Sequence, residues 1–448
     1  MSLGDALATA PDIAVFSDHG SITRSAVQAQ ASEIAAALRA AGVEPGDVVA
    51  VQLPNGPEVV ATLFGVWAAG AAYAPFNPRA PQPEVDANLA AVRPRVLVTP
   101  AGIEPVADGR PLGEGVALVQ FTSGTTGPPK PVPLRHDKVL DTLDRVVGSL
   151  RADPSKPAMP NLVPVSLSLW AGLYQVLFAF RIGAPVVLMD SFTTARFAEL
   201  VAEHGIRSTV LPPAAMAMLT DDEAITTLAP LRTIRSITAP LSPVQARRFH
   251  DRFGVTIVNS YGQTELGGEV VGWSGADGRE FSLAKLGSVG RPHPGNEVML
   301  DEGSGELLVR TPTSGGWHRT GDLATIDDDG FVWIEGRVSD LIIRGGNKVF
   351  PAHVEEALVA SPAVRDAAVV GVPDDRLGEV PWAFVVPATG RAVDPVALAA
   401  WCRERLVPYK VPVRFEAVEE LPRNDIGKVL KRALVERAGL LTKVSETP

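Results

Sequence analysis

The stretch Phe121-Thr-Ser-Gly-Thr-Thr-Gly-Pro-Pro-Lys130 concentrates hydroxyls, glycines and a lysine directly after the apolar residues 116–119. Glycines let backbone N–H groups approach oxyanions, hydroxyls donate further hydrogen bonds, and an ammonium group balances the remaining charge. The spacing differs from that of a Walker loop, because Lys130 follows two prolines and precedes Pro131. The composition predicts a phosphate-binding loop, and a Gly/Thr-rich surface turn is the alternative.

Around this loop, apolar runs alternate with helical patterns. Residues 47–53, Asp-Val-Val-Ala-Val-Gln-Leu, are nearly all apolar, which is typical of parallel strands covered on both faces. The same kind of run recurs at residues 95–98, 184–189, 208–211 and 233–238. We therefore predict an α/β fold with mainly parallel sheets.

The first helix has a clear apolar face. Val27, Ala31, Ala35 and Leu38 recur at helical spacing, and the pattern stops at Gly42. Ser25-Ala-Val-Gln28 has the spacing of a capping box, so we expect Ser25 to begin the helix.

The sequence pattern changes from about Gly290. Short runs separated by glycine and acidic turns predict a small antiparallel, barrel-like unit, with strands at residues 297–300, 305–310 and 331–334. After Arg337 the pattern predicts a compact α+β module, with helices at residues 352–360 and 395–406 and strands at residues 367–372 and 382–386.

Bulk composition indicates a folded globular chain. Its 448 residues are 46% hydrophobic and 21% charged, and the length predicts two or three domains. A net charge of −10 without a Lys/Arg block argues against a nucleic-acid partner. Cys402 is the single cysteine, which excludes an intramolecular disulfide and fits a reducing compartment. With no secretory signal pattern visible and the apolar residues 59–72 too few to span a bilayer, we expect a cytoplasmic protein.

Four downstream motifs accompany the phosphate-binding loop. They are Asn259-Ser-Tyr-Gly-Gln-Thr-Glu265, Arg319-Thr-Gly-Asp322, Gly336-Arg-Val-Ser-Asp-Leu-Ile-Ile-Arg-Gly-Gly346 and Leu421-Pro-Arg-Asn-Asp-Ile-Gly-Lys428. In order and spacing they resemble the adenylate-forming superfamily of acyl-CoA synthetases, firefly luciferases and peptide-synthetase adenylation domains, and acyl-CoA synthetases most closely. The resemblance implies an N-terminal adenylate-forming domain at residues 1–338 and a mobile C-terminal α+β domain at residues 340–448. The hinge would be about Ser339, where the family commonly has Asp or Lys.

The resemblance assigns the residues that would hold ATP and Mg²⁺. The phosphate cradle would consist of Thr122, Ser123, Gly124, Thr125, Thr126 and Lys130. Thr264 would contact the α-phosphate, and Glu265 would hold Mg²⁺, a role suited to a carboxylate oxygen. Pro131 departs from the family's usual glycine and should stiffen the loop.

The remaining motifs would bind the nucleoside and carry out the two half-reactions. Tyr261 would stack on adenine, and Asp322 would accept hydrogen bonds from both ribose hydroxyls with help from Arg337. Lys428 would reach the transition state of adenylate formation. Gly345 and Gly346 would line a narrow channel for the pantetheine arm of CoA, although the same pair could form a hairpin turn.

The segments that would border the acid are less informative. Candidate pocket residues are Ser166, Trp170, Tyr174, Met216, Ile237, Thr238 and Ala239. Ile237-Thr238 replace the Gly-Gly that the family usually has here, and β-branched bulk favours a short, medium-chain or aromatic acid. Because no acidic residue occurs between Pro164 and Met189, the ammonium of an α-amino acid would lack a partner.

The leading hypothesis from the sequence is an ATP- and Mg²⁺-dependent carboxylic acid:CoA ligase that forms an acyl-adenylate and releases pyrophosphate. A ligase that loads a carrier protein is the nearest alternative. A catalytically silent nucleotide-binding partner is the alternative from a different class, and the retained Lys130, Glu265, Asp322, Arg337 and Lys428 argue against it.

Overall fold

A computed structural model of the chain describes residues 3–4, 14–18, 20–122, 130–149, 158–239, 241–423 and 429–445, without the side chains of Thr122, Ser149 and residues 442–445. Its helices are α1 (Arg24–Ala40), α2 (Pro57–Ala68), α3 (Gln82–Val92), α4 (His136–Ser149), α5 (Trp170–Ile182), α6 (Thr194–Glu203), α7 (Pro213–Asp221), α8 (Pro243–Phe253), α9 (Gly275–Phe281), α10 (Pro351–Val359), α11 (Pro395–Arg403) and α12 (Lys431–Ser445).

The strands fall into six sheets. They are β1 (Ala14–Ser17), β2 (Gly20–Thr23), β3 (Val48–Val51), β4 (Ala72–Pro75), β5 (Val96–Thr99), β6 (Gly102–Pro105), β7 (Val116–Thr122), β8 (Lys130–Arg135), β9 (Asn161–Val163), β10 (Val186–Leu188), β11 (Ser208–Leu211), β12 (Thr233–Ser236), β13 (Thr256–Asn259), β14 (Tyr261–Gln263), β15 (Gly268–Gly272), β16 (Arg291–Pro292), β17 (Glu297–Leu300), β18 (Glu306–Arg310), β19 (His318–Ile326), β20 (Val332–Arg337), β21 (Ile342–Arg344), β22 (Asn347–Val349), β23 (Val364–Asp374), β24 (Gly378–Pro387) and β25 (Arg414–Ala417).

The first large sheet has the order β6-β5-β3-β4-β7-β8. Its inner pairs are parallel, and the edge strands β6 and β8 are antiparallel. Every residue of β3 and β4 is buried, because helices cover both faces. The nearly continuous apolar runs therefore predicted these strands correctly. The hairpin of β7 and β8 frames the predicted phosphate loop.

Two further sheets contain the other predicted parallel strands. In the sheet β2-β1-β10-β9, strand β10 pairs in parallel with β1 and β9. The sheet β11-β12-β13 is parallel throughout. One of its faces packs on α6, α7 and α8 through an apolar cluster that includes Phe197, Leu219 and Phe249. The carboxyl ends of β12 and β13 lie side by side, since the Ser260 N–H donates to the Ser236 carbonyl over 3.2 Å.

Antiparallel sheets follow in the second half of the chain. Strands β17 to β20 form a four-stranded meander, and β14, β15 and β16 form a three-stranded sheet. A bridge between Gly290 and Val332 links the two sheets, so together they form the barrel-like unit that the glycine and acidic turns predicted. Strand β19 carries the Arg319–Asp322 motif, and β20 ends at Arg337.

The C-terminal sheet has the order β22-β21-β24-β23, and β25 pairs in parallel with β24. Helices α10 and α11 cover one face with Val354, Leu358 and Leu398, and α12 covers the other with Leu434 and Ala438. Cys402 is buried beneath α10, where burial raises the pKa of its thiol to about 11. This cysteine is therefore a packing residue, and the α/β fold class with an α+β C-terminal unit is confirmed.

One local prediction was wrong. Helix α1 begins one residue before Ser25, and its N-cap is Thr23, whose hydroxyl accepts from the Ala26 N–H. Thr23 ends strand β2, so the sheet decides where the helix begins, while the Ser25 hydroxyl lies 2.8 Å from that of Thr23. The predicted core face is correct, since Val27, Ala31, Ala35 and Leu38 are all buried.

Contacts join the C-terminal helices to the N-terminal part. The His353 imidazole on α10 bonds to the Glu335 carboxylate on β20, just before the predicted hinge. The Arg248 guanidinium on α8 donates to the Val359 carbonyl over 3.0 Å. Among the described residues, no helix is both long and apolar enough to cross a membrane.

Candidate active site

Asp322 is the centre of a buried polar network between the antiparallel sheets. Its side chain is 8% exposed, and its Oδ2 accepts from the Tyr261 hydroxyl over 2.6 Å and from the Gln263 amide over 2.9 Å. Arg337 lies opposite Asp322 in the pairing of β19 with β20, and its Nε lies 2.7 Å from Oδ1. A charge this well bonded is held in one orientation.

The structure thus brings together Tyr261, Asp322 and Arg337, the three residues predicted for the nucleoside. Burial raises the pKa of the Tyr261 hydroxyl, and the neighbouring Asp322 charge raises it further, so this hydroxyl remains a donor. A carboxylate has about four acceptor positions and the contacts above use three, so Asp322 can still accept from one ligand hydroxyl, while the other N–H groups of Arg337 can donate to a neighbouring one. The arrangement suits a ligand with neighbouring hydroxyls.

Gln263 is a site residue to which the sequence analysis assigned no role. Its amide donates to the Thr320 carbonyl over 2.7 Å, and its oxygen lies 3.2 Å from the His318 imidazole. The Thr320 hydroxyl accepts from the Asp322 N–H and donates to the Leu307 carbonyl. Gln263 therefore ties β14 to β19. The available signal was its place between Tyr261 and Glu265 in the quoted motif.

Glu265 lies on a one-turn 3₁₀ helix, Thr264–Leu266, that follows β14. Gly267 ends the turn at φ 82°, a left-handed conformation that favours glycine. The Lys138 ammonium on α4 donates to the Glu265 backbone carbonyl and so fixes the backbone of the turn. Burial lowers the pKa of Lys138, whereas the Glu265 charge opposes that shift. Nothing in the sequence singled out Lys138.

The Glu265 carboxylate fits the predicted metal role. It is exposed and bonds to no residue in the described part of the chain. No group of three or more His, Cys, Asp or Glu side chains among the described residues could hold a metal. Mg²⁺ is usually bound by one or two carboxylates together with substrate phosphates, so a single exposed carboxylate suits this ion.

Backbone packing around this turn requires glycine. A Cβ at Gly262 would lie 2.0 Å from the Gly268 carbonyl oxygen, which no side chain can tolerate. The two glycines let β14 and β15 approach closely between Tyr261 and Glu265. Strand β8, which begins at Lys130, also contacts the Thr264–Leu266 turn. The strand that follows the predicted phosphate loop therefore packs against the turn that carries Glu265.

Several predicted phosphate and catalytic residues lie outside the described residues. These are Ser123, Gly124, Thr125, Thr126 and Lys428. Thr122 is described in its backbone, where it pairs with Lys130 at the end of the β7–β8 hairpin. Arg423 and Val429, on either side of the Lys428 segment, form an antiparallel bridge.

Residues predicted for the acid occupy neighbouring strand and helix ends. Ser166 precedes α5, its hydroxyl 2.8 Å from that of Ser168, and Trp170 is the first residue of α5. Ile237, Thr238 and Ala239 directly follow β12, and the Ala239 N–H donates to the Ile237 carbonyl over 3.0 Å. Thr238 adopts φ 71°, which is uncommon for a β-branched residue and often marks functional segments.

The hinge and CoA predictions fall on short turns. Ser339 is exposed in the 3₁₀ turn Val338–Asp340, and its hydroxyl donates to Asp340 over 3.0 Å. Gly345 and Gly346, at φ 54° and 84°, form the two-residue turn between β21 and β22. This is the hairpin turn named as an alternative, and a role in binding CoA stays a prediction.

Family models match most of the chain. The model described as AMP-binding enzyme matches residues 5–114 and 104–315. The model described as AMP-binding enzyme C-terminal domain matches residues 353–428. The ranges matched by the first model contain the described site residues Tyr261 and Glu265. The range matched by the C-terminal model includes the position of Lys428.

Individual proteins resemble the chain over nearly its whole length. A feruloyl-CoA synthase from Amycolatopsis sp is 33% identical, covering 94% of this chain and 95% of that protein. A fatty acid–[acyl-carrier-protein] ligase, ScoC, from Streptomyces coeruleorubidus is 28% identical, covering 95% and 93%. The solved structure of o-succinylbenzoate CoA synthetase (MenE) from Bacillus subtilis in complex with the acyl-adenylate intermediate OSB-AMP has a TM-score of 0.84 and 26% identity, covering 96% of this chain and 97% of that one.

Proposed function

The chain belongs to the AMP-binding enzyme family, and from this premise we propose how its residues carry out ligase chemistry. The protein is an AMP-forming acid–thiol ligase of the acyl-CoA synthetase type, and it uses ATP and CoA. The observation that carries this function is the buried Tyr261–Gln263–Asp322–Arg337 network beside the exposed carboxylate of Glu265.

In the first half-reaction, a carboxylate oxygen of the acid attacks the α-phosphorus of ATP and pyrophosphate leaves. Tyr261 packs against adenine, while Asp322 and Arg337 hold the ribose. The Thr264 hydroxyl contacts the α-phosphate, and the loop that ends at Lys130 holds the departing phosphates. Lys428 donates to the charge that builds up in line at phosphorus, where a fixed cation stabilises the transition state most strongly.

The metal assignment is a separate proposal. Glu265 would hold Mg²⁺, which when bound neutralises charge on the phosphates and keeps them oriented. Lys138 fixes the backbone of that turn, so the Glu265 carboxylate starts from a defined position.

In the second half-reaction, the sulfur of CoA attacks the acyl carbon, AMP leaves with the bonding electrons, and the thiol proton is lost. We propose that the C-terminal domain, residues 340–448, rotates about Ser339 between the two half-reactions. The Gly345–Gly346 turn then borders the pantetheine arm. Support for this step comes from the exposed Ser339 turn and from the polar, partly exposed character of the His353–Glu335 and Arg248–Val359 contacts between the two parts.

For the substrate, we propose a short, medium-chain or aromatic acid. Ile237 and Thr238, which follow β12, are bulkier than the glycines that the family usually has there, so they would narrow the pocket for the acid. The feruloyl-CoA relative acts on an aromatic acid according to its name. The resemblance to a ligase named for an acyl-carrier protein keeps a carrier thiol as the second candidate acceptor. We place the reaction in the cytoplasm, where ATP and CoA are available and where a buried Cys402 stays reduced.

The test is pyrophosphate release with Mg-ATP against a panel of aliphatic, aromatic and amino acids, with and without CoA. Release that depends on one class of acid, followed by acyl-CoA detected by mass spectrometry, supports the proposal. Transfer to a carrier protein instead of CoA would establish the second candidate. ATP binding without pyrophosphate release for any acid would favour a silent nucleotide-binding partner.

A further inference from the structure

A charged cluster lies between β12 and β15, next to the site but with no part in the steps above. Arg235 on β12 donates to the Glu269 carboxylate on β15, and the His293 Nε2 lies 2.7 Å from the same carboxylate oxygen. The side chains of Arg235, Glu269 and His293 are only 19%, 10% and 4% exposed. We refer to these three residues and Tyr174 as the polar cluster.

The charges of the polar cluster balance one another. Burial raises the pKa of Glu269, but the Arg235 charge and the hydrogen bond from His293 outweigh burial and lower it to about 2. Glu269 is therefore an anion that already has a cationic partner. It offers no unmatched negative charge to a substrate ammonium, which agrees with the expectation against α-amino acids.

Tyr174 and Arg235 have hydrogen-bond donors with no partner among the described residues. The Tyr174 hydroxyl is buried, and it has no hydrogen-bond partner among the described residues. The Arg235 guanidinium has five N–H donors, yet Glu269 is its one hydrogen-bonding partner in the described part of the chain. Burial raises the pKa of Tyr174, and the Glu269 charge raises it further, so its hydroxyl keeps its proton. Both groups therefore present donors.

A donor left without a partner in a protein interior is destabilising and needs an explanation. The second carboxylate oxygen of Glu269 is a hydrogen-bond acceptor that has no described partner. Donors on two residues next to one open acceptor position match a hydroxyl group, which accepts and donates at the same oxygen.

The cluster lies beside the turn that carries Thr264 and Glu265 and beside Trp170, a residue predicted to border the acid. Glu269 pairs with Gly262, two residues before Thr264, a separation of roughly 7 Å along a strand. A Cβ at Gly268 would lie 3.0 Å from the Tyr174 ring, so this ring packs directly against the backbone that follows Glu265. The Tyr174 ring also meets Trp170 edge-on, with ring centroids 5.5 Å apart.

We propose that the polar cluster recognises a hydroxyl group at the far end of the acid, so that the preferred substrate is a hydroxylated aromatic acid. The inference rests on the proposed ligase function. Donation from Tyr174 and Arg235 to the substrate oxygen, and acceptance by Glu269, would satisfy groups that are otherwise unpaired. One aromatic ring with a short linker spans the distance from Thr264 to the cluster, whereas a long chain would exceed it.

Other acids fit the cluster less well. A second carboxylate would face Glu269, whose charge already balances Arg235, and like charges in a buried site repel. A plain alkyl or aryl end would cover the unpaired donors without satisfying them. A site built to bind a hydroxyl group rejects the analogue that lacks it much more strongly than an apolar pocket rejects an added methylene.

The test compares matched acids in wild type, Tyr174→Phe and Tyr73→Phe. Tyr73 is a suitable control, because its hydroxyl is also buried without a described partner but it lies in β4 of the first sheet. The acids are benzoate with 4-hydroxybenzoate and cinnamate with 4-hydroxycinnamate, and terephthalate provides a far carboxylate. The readout is kcat/KM for adenylate formation.

We expect wild type to prefer a hydroxylated acid over its unsubstituted analogue by at least about 10-fold, and Tyr174→Phe to reduce that preference by roughly 10-fold. Tyr73→Phe should leave the preference unchanged. Equal rates for both members of each pair, a preference for terephthalate, or the same ratio in Tyr174→Phe would overturn the inference while leaving the ligase function intact. Absence of adenylate formation with all of these aromatic acids, when an aliphatic acid does release pyrophosphate, would also overturn the inference, whereas absence with the whole panel of aliphatic, aromatic and amino acids would count against the ligase function itself.

Discussion

The nucleoside site and the joint between the two parts of the chain are built in opposite ways. At the proposed nucleoside site, the Asp322 side chain is 8% exposed, receives hydrogen bonds from Tyr261 and Gln263, and pairs with Arg337. At the joint, the His353 and Glu335 side chains are 34% and 20% exposed, and Ser339 bonds only to its neighbour Asp340 among the described residues.

This difference agrees with the proposed rotation, in which the nucleoside site keeps its geometry while the contacts at the joint are exchanged. A buried carboxylate that is held by three neighbouring side chains is already oriented when the ligand arrives, so little entropy is lost in ordering it. A half-exposed ion pair is worth about 0–1 kcal/mol and can be broken at little cost. The comparison implies large effects for substitutions in the interior and small effects at the joint.

The largest effect is expected for Lys428→Ala, which should lower adenylate formation roughly 10²–10³-fold, because one donor to the transition state is lost. Thioester formation from preformed adenylate and CoA should be largely retained, since the role proposed for Lys428 is confined to the first half-reaction. Lys431→Ala is the control, as the Lys431 ammonium pairs with Glu355 over 2.8 Å. Equal losses in both half-reactions would show that the variant damages the fold.

The interior ion cluster should make stability depend on pH. The pKa of Glu269 is lowered from its ordinary value near 4.5 to about 2. Its stabilising contribution, on the order of 3 kcal/mol, is therefore present above pH 4.5 and is lost as pH falls toward 2. Urea unfolding of wild type and Glu269→Gln between pH 7 and pH 3 measures it. The variant should show a flatter pH dependence, and parallel curves would contradict the assignment.

Asp322→Asn tests the nucleoside site. The change removes the charge that strengthens the hydrogen bonds to ribose and to Arg337, so we expect the Kd for ATP to rise about 10–100-fold. Calorimetric titration with ATP measures it. Asp329→Asn is the control, since the Asp329 side chain is 52% exposed and pairs with Lys285 away from the site. Similar Kd values for the two variants would contradict the proposed contact between Asp322 and the ribose.

The smallest effect is expected for His353→Gln, which removes the ion pair with Glu335 across the joint. The ratio of the two half-reaction rates should change by less than about 5-fold, in keeping with a half-exposed pair. Separate measurement of pyrophosphate release and thioester formation gives this ratio. A change of 100-fold would mean that the joint is as firmly built as the nucleoside site, and the comparison above would fail.

Apolar runs predicted the parallel strands well, because burial on both faces leaves little room for polar residues. Strand β11 has the predicted bounds, and β3, β5, β10 and β12 differ by one or two residues at their ends. The capping box at Ser25 failed, because strand β2 delivers Thr23 to the helix start and the sheet outweighs a local sequence preference. Local sequence rules for helix capping fail where tertiary contacts determine which residue begins the helix.

Motifs identified Tyr261, Asp322 and Arg337, but the sequence did not indicate the partners that hold them. Gln263 reaches Thr320 across 57 positions, and Lys138 reaches Glu265 across 127. Such pairs depend on which strands become neighbours, and no local pattern encodes that. Glu269 did leave a signal, since an acidic residue inside the apolar strand Gly268–Gly272 requires a buried partner.

The sequence by itself determined the family, the parallel strands and the chemical types at the ATP site, because periodicity and motif spacing are local properties of the chain. Only the tertiary structure decided that Arg235, Glu269, His293 and Tyr174 lie together. These residues come from two strands, a helix and the segment that follows β16, and their charges balance only after folding has removed water from around them. The physical reason is that ion pairing and desolvation act through space between elements that the sequence keeps apart.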